Sequence, residues 1–193
     1  RLPVPAMVQR GHLQGPRGLE QGSEYGFQCR GEDVFEHGKR LNRIAMTIKE
    51  IQDGIVEQFS MFDDWLDRYS LLIEMGKECP LIDDQYRNDQ YLINGCQSRV
   101  WLHAELKDGK VWYTADSDAV ITKGIINLLI SVFSGQTPND ILAADLGFLE
   151  EIGLKEHLSP TRSNGLESML RQMLLYAQAF RELIGEDKQE IAQ

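Results

Sequence analysis

Asp89-Gln90-Tyr91-Leu92-Ile93-Asn94-Gly95-Cys96-Gln97-Ser98-Arg99-Val100-Trp101-Leu102-His103-Ala104-Glu105-Leu106-Lys107-Asp108-Gly109 is the stretch from which the fold can be read. From Val100 onward two sets of residues alternate: Val100, Leu102, Ala104 and Leu106 against Trp101, His103, Glu105 and Lys107. A period of two is the signature of a half-buried strand. Asp108-Gly109 then closes a hairpin onto a second strand at 111–115, since Asp-Gly suits the tight turns that match strand twist. The run 89–93, on the far side of a glycine turn, reads as a third strand. Strands joined by short turns pair antiparallel. Their clustering in mid-chain, instead of alternating with helices, predicts an α+β fold: a three-stranded antiparallel sheet covered on one face by helices.

Helical periodicity surrounds this centre. Thr47-Ile48-Lys49-Glu50 is a capping box opening a helix over about 48–60, with Ile48, Ile51, Ile55 and Phe59 on one face. Asp63 and Asp64 precede a second helix, with Trp65, Leu66, Tyr69, Leu72 and Ile73 as its apolar stripe, ended by Gly76 and Cys79-Pro80. Asp116 or Ser117 is expected to cap a third helix running to about Phe133, and Asp118 is read as a cap too, not as a catalytic acid. Gly135 ends that helix, Thr137-Pro138 opens a shorter one, and Asn164 is expected to start the last.

The 193 residues fit one domain. Net charge is −10 and residues 1–45, with seven Lys or Arg against five Asp or Glu, account for +2 of it, leaving −12 for the rest. An acidic average field repels phosphate backbones and anionic membranes, so nucleic acid is not expected as a partner. Residues 1–45 hold ten Gly or Pro and no sustained period, and read as an irregular, non-native or upstream-translated leader. Met46 is then the expected native start, with 46–193 as the domain. No run approaches the ~18 apolar residues of a membrane span. Three cysteines, Cys29, Cys79 and Cys96, without any C-x-x-C pair, speak against a disulfide framework, a zinc ribbon and a dithiol redox motif, and for a reducing cytoplasm.

Cys96 is the candidate for chemistry. A thiol beside a glycine at a turn is placed for reactivity more than for packing. Arg99, three residues on, and the amides of Gly95 and Gln97 are the groups at hand to lower its pKa. No His lies within the turn to act as base, and by the strand alternation His103 is read as an outward-facing surface histidine. Cys79, before Pro80, is read as structural.

Residues 91–102, Tyr-Leu-Ile-Asn-Gly-Cys-Gln-Ser-Arg-Val-Trp-Leu, resemble the core motif of the SufE family of sulfur acceptors in iron–sulfur cluster assembly. Asp116-Ser117-Asp118-Ala119 with Lys123-Gly124-Ile125, then Thr137-Pro138, Gly153-Leu154, His157-Leu158-Ser159-Pro160 and Arg162-Ser163-Asn164-Gly165-Leu166 are similar to that family's later landmarks, in order and spacing. The resemblance covers about residues 46–185. It implies a SufE/IscU-like architecture and a persulfide relay, in which Cys96 takes sulfur from a cysteine desulfurase of the SufS/CsdA type and passes it to a cluster scaffold or other acceptor. It implies no cofactor of the chain's own, since pyridoxal phosphate belongs to the desulfurase.

A lone thiol suits that role, because a neighbouring cysteine would attack the persulfide and release sulfide. Gly95 would give the loop freedom to hide and present the sulfur. Ile93, Val100 and Leu92 are candidates for an apolar shelter around it. Arg162, placed just before the expected last helix, and Arg99 are candidates for orienting the loop or the partner, with an ordinary salt bridge as the competing use of Arg162. An iron–sulfur or zinc scaffold would need about four converging ligands, and only Cys96 matches a motif cysteine. A cysteine-based peroxidase rests on Arg99 alone.

Overall fold

The computed structural model describes residues 46–191, with side chains of the last helix to 185, and two short strands ahead of them, β1 (Phe35–Glu36) and β2 (Lys39–Arg40), which pair antiparallel. The remainder of the expected irregular leader, Cys29 included, lies outside the described residues.

Helix α1 (Ile48–Ser60) starts as its sequence dictates. The Thr47 hydroxyl accepts from the Glu50 amide while the Glu50 carboxylate accepts from the Thr47 amide at 2.7 Å, and Ile48, Ile51, Ile55 and Phe59 are buried. Helix α2 (Trp65–Lys77) is capped by Asp64, which accepts from the Leu66 amide at 2.8 Å. A loop containing one 3₁₀ turn (Asp84–Tyr86) leads on to the cysteine motif.

Strands β3 (Val100–Lys107) and β4 (Lys110–Ser117) form an antiparallel hairpin whose register pairs Lys107 with Lys110 and Val100 with Ser117. Both turn residues are left-handed, Asp108 at φ 53° and Gly109 at φ 74°, as the two-residue turn requires. This sheet has two strands, not the expected three. Residues 89–93 reach β3 only through the Leu92–Trp101 bridge, with Ile93 N–H donating to the Val100 carbonyl (2.8 Å) and Leu102 N–H to that of Tyr91 (3.0 Å). The reason is local. Asn88 accepts from the Gln90 amide through its side chain and from the Tyr91 amide through its carbonyl, which folds the run into a turn before a ladder can extend. On the other edge Leu81 makes a single parallel bridge to Ala115.

After β4 come α3 (Val120–Phe133), α4 (Pro138–Ala143), α5 (Phe148–Glu151), α6 (Leu154–His157) and α7 (Pro160–Ile191). Two sequence expectations about helix starts are corrected. Helix α3 has Ala119 as N-cap with no side-chain cap, because the Asp116 carboxylate is taken by Arg87 and Lys123, that of Asp118 by the Arg99 amide, and the Ser117 hydroxyl accepts from the Ala119 amide ahead of the helix (3.2 Å). Helix α7 begins at Pro160, not Asn164: proline pre-sets the first helical φ, and the Arg162 and Ser163 amides already donate to the Ser159 carbonyl at 2.9 Å.

Helix α3 is buried almost throughout, between the sheet and α2. Helix α7 is tied to the hairpin by two buried hydroxyls, Tyr113 Oη donating to the Met173 carbonyl (2.9 Å) and Tyr176 Oη to that of Leu102 (3.3 Å). Tyr113→Phe is expected to cost about 1 kcal/mol in urea denaturation, the net worth of one such bond; an unchanged midpoint would show the bond to be dispensable. Among the described residues no helix is long and apolar enough to cross a membrane.

Candidate functional site

Cys96 sits in the connection between Ile93 and β3, at the point where the chain passes α7. Gly95 precedes it at φ 93°, a conformation that side chains rarely adopt, and a Cβ there would lie 2.7 Å from Ser168 Oγ on α7. The turn thus needs glycine twice over, for its backbone angle and for its close approach to the helix. The Cys96 thiol is half-buried and donates to the Gly165 carbonyl at 3.7 Å. It lines a cavity of about 360 Å³ together with Gln97 and Ser98 of its own loop, the first turns of α3 and α7, and Met169. The shelter expected from Ile93, Val100 and Leu92 is not built that way. Ile93 and Val100 are buried in the core and Leu92 bridges to Trp101, whereas the cavity's apolar wall comes from Val120, Ile121, Ile125 and Met169.

The electrostatics also differ from the sequence reading. Burial pushes the Cys96 thiol above its ordinary value, and no cation offsets it. Arg99 does not serve the thiol: its guanidinium lies over the Trp101 ring at 4.8 Å, and its amide donates to Asp118 Oδ1 at 3.0 Å. Arg87 covers the same ring at 5.1 Å and also pairs with Asp116 at 3.0 Å, while Lys123 reaches the other oxygen of that carboxylate at 2.9 Å. Burial alone would raise the Asp116 carboxyl, but the Lys123 hydrogen bond, the Ser117 amide and Arg87 outweigh it and hold it below the ordinary range. Trp101 is left 5% exposed, with an indole N–H that finds no acceptor.

His103 is not a surface strand histidine. Its ring stacks on Tyr86 at 3.8 Å and 5°, and meets Tyr91 edge-on at 5.6 Å, so the loop before the cysteine covers the outer face of the hairpin. Desolvation lowers its pKa against the pull of Glu105 and Asp83. Cys79 is buried, and its Sγ donates to the Ala115 carbonyl at 3.6 Å. Desolvation pushes that thiol up to about 12, which makes it inert at neutral pH.

Arg162 lies within the first turn of α7 and lines the Cys96 cavity. Its competing use, a salt bridge, is not seen among the described residues. What sequence reasoning missed is the pairing of two helix starts, α3 and α7, that brings Thr122, Thr161 and Arg162 to one thiol. Thr122 Oγ1 donates to Ser98 Oγ at 3.4 Å, so α3 also holds the outgoing limb of the loop.

The model of the SufE family, described as an Fe-S metabolism associated domain, matches residues 53–177. The chain belongs to the SufE family. An uncharacterized SufE-like protein of Rhizobium meliloti (strain 1021) is 38% identical over 126 residues, which is 63% of this chain and 90% of that protein. The solution structure of a hypothetical protein from Thermus thermophilus superposes with a TM-score of 0.59 over 68% of this chain and 96% of the other; at 23% identity it speaks for the fold alone. SufE membership places the chain in iron–sulfur metabolism, and the matched span contains the Cys96 loop, the hairpin and both helix starts of the cavity.

Proposed function

We propose that this SufE-family protein is a sulfur acceptor, which takes persulfide sulfur onto Cys96 from a cysteine desulfurase of the SufS/CsdA type and hands it to iron–sulfur cluster assembly. The observation that carries this reading is the position of Cys96: a half-buried thiol on a glycine turn, facing a cavity far larger than one sulfur atom. The Cys96 thiolate attacks the terminal sulfur of the donor's S–SH group. The new S–S bond forms as the donor's S–S bond breaks, the donor leaves as a thiolate, and the SH proton stays on the transferred sulfur, with no net oxidation. Burial keeps the acceptor thiol protonated at rest, so the loop must open to react; a Gly95 hinge supplies that freedom, and Arg162 orients the loop or the incoming donor.

The protein needs no cofactor of its own for this exchange. A metal or cluster scaffold is the competing reading, and among the described residues no three His, Cys, Asp or Glu side chains converge to hold an ion, which favours the relay. The test is incubation with desulfurase, pyridoxal phosphate and cysteine, followed by peptide mapping of bound sulfur by mass spectrometry. Sulfur on Cys96 supports the reading, and sulfur on Cys79 or none on this chain overturns it.

A further inference from the structure

The loop that carries Cys96 is fastened on both sides. Upstream, Gly95 rests on Ser168 and the Ile93 amide is bonded to Val100. Downstream, between Cys96 and the start of β3, stands Arg99, and its side chain has an unusual situation. It is exposed, it pairs with no carboxylate among the described residues, and its contact is the face of Trp101 at 4.8 Å. Trp101 is fixed in the sheet by its pairing with Asp116, whereas Arg99 stands where the loop joins the sheet, with its backbone N–H and C=O both bonded to Asp118 and its side chain free of the ladder. A cation over an indole is attractive at an exposed site, more so where the ring has lost water.

The ring itself is held under some cost. Its N–H is buried with no acceptor, and a buried unpaired donor is disfavoured relative to one that water can reach. Arg87 does not depend on the ring in the same way, because Asp116 already neutralises it. The closed loop is held by the Cys96–Gly165 and Ser98–Thr122 bonds and by the Arg99 backbone on Asp118, and the Arg99 guanidinium on Trp101 adds a side-chain contact over a ring whose N–H is buried without an acceptor. That side-chain contact is the weakest of these fastenings and the one a partner can displace without breaking a hydrogen bond.

We propose that Arg99 is a positioning residue: its guanidinium on Trp101 is the clasp that keeps the Cys96 loop closed, and opening the loop uncovers the indole. This rests on the sulfur-acceptor reading for its purpose, but not for its test. The clasp role and the thiolate-activating role suggested by sequence predict opposite signs. If Arg99 activated the thiol electrostatically, removing its charge would slow the reaction of Cys96 with iodoacetamide. If it clasps the loop, removing it speeds that reaction.

For the full chain, alkylation of Cys96 and Cys79 is followed by mass spectrometry across pH in Arg99→Gln, Arg99→Met and Arg99→Lys. Arg99→Gln and Arg99→Met are expected to raise the Cys96 rate roughly two- to five-fold at every pH, the factor that a surface cation–π contact is worth. Cys79 stays at its slow rate, and Arg99→Lys falls between. Arg99→Met keeps the apolar stem, so it reports even where the glutamine variant folds poorly. A slower or unchanged Cys96 in both, or a parallel acceleration of Cys79, overturns the clasp. Iodoacetamide needs no persulfide, so failure here is distinct from failure of the sulfur-acceptor reading, which the desulfurase mapping reports.

Discussion

Replacing Gly124 by alanine is expected to lower the stability of the domain by about 3 kcal/mol, a large part of the ~5–15 kcal/mol that holds a typical domain together. An added Cβ would sit 2.1 Å from the Leu72 carbonyl oxygen and 2.7 Å from its carbon, both backbone atoms that no rotamer change can move. Gly76 faces it from α2, where a Cβ would lie 2.9 Å from the Gly124 nitrogen. The two glycines let α2 and α3 touch backbone to backbone, and Asn127 fastens the contact by donating to the Met75 carbonyl. Relief requires the helices to separate, which opens gaps around Leu72, Ile125 and Leu128, all packed in the same core. The damage would reach the site, since the first turn of α3 carries Val120, Ile121 and Thr122 into the Cys96 cavity. Gly54→Ala is the matched control. That glycine lies inside α1 with nothing within 4 Å of an added Cβ, so alanine should stabilise by about 1 kcal/mol through helix propensity. Urea denaturation followed by circular dichroism measures both. A Gly124→Ala midpoint equal to wild type would mean that the helices are not held this close.

The elements legible in the sequence are those whose causes are local. The Thr47 capping box, the helix start after Asp63-Asp64, the Thr137-Pro138 start and the Asp108-Gly109 turn each specify their geometry within four residues, and the structure has all of them where the spacing puts them. The third strand failed because Asn88 supplies a competing local bond, and alternation of side chains does not register such a bond. His103 was misread for a different reason. Period two gives the face of the hairpin but not what covers it, and the cover comes from Tyr86 in a loop without periodicity. Asp116 shows the same limit: its position suits a helix cap, yet Arg87 and Lys123 arrive from elsewhere in the chain and claim both oxygens. For the site, the thiol was legible from its turn. Its cavity was not, because it forms where α3 and α7 begin side by side, a juxtaposition of residues 119–125 with 161–169 that only tertiary packing creates.

Cys96→Ser is expected to abolish desulfurase-dependent sulfur loading of this chain, while Cys79→Ala leaves it at the wild-type level. The two thiols differ in access and in acidity. Cys79 is buried against the β4 backbone, bonded to the Ala115 carbonyl, with its thiol pushed up to about 12, so at pH 8 roughly one molecule in ten thousand carries the thiolate. Cys96 is raised by burial alone and lines a cavity, so its sulfur has room to react once the loop opens. The pH dependence follows in sign. A thiol pKa above its ordinary value leaves the nucleophile protonated at neutral pH, and the thiolate fraction grows as pH rises through and beyond that value. With preformed donor persulfide in excess, the single-turnover rate of transfer to Cys96 should therefore climb from pH 7 into the alkaline range, without levelling off below the pKa of an ordinary cysteine. If opening the loop restores hydration before attack, docking of the desulfurase should shift that rise to lower pH than alkylation of the free protein shows, because the desolvation that raises the pKa is then relieved. Loading measured by mass spectrometry in the two variants, and the two pH profiles side by side, decide the matter. Sulfur retained in Cys96→Ser would remove Cys96 from the reaction, and a transfer rate flat between pH 7 and 9 would mean that thiol ionisation does not limit the step.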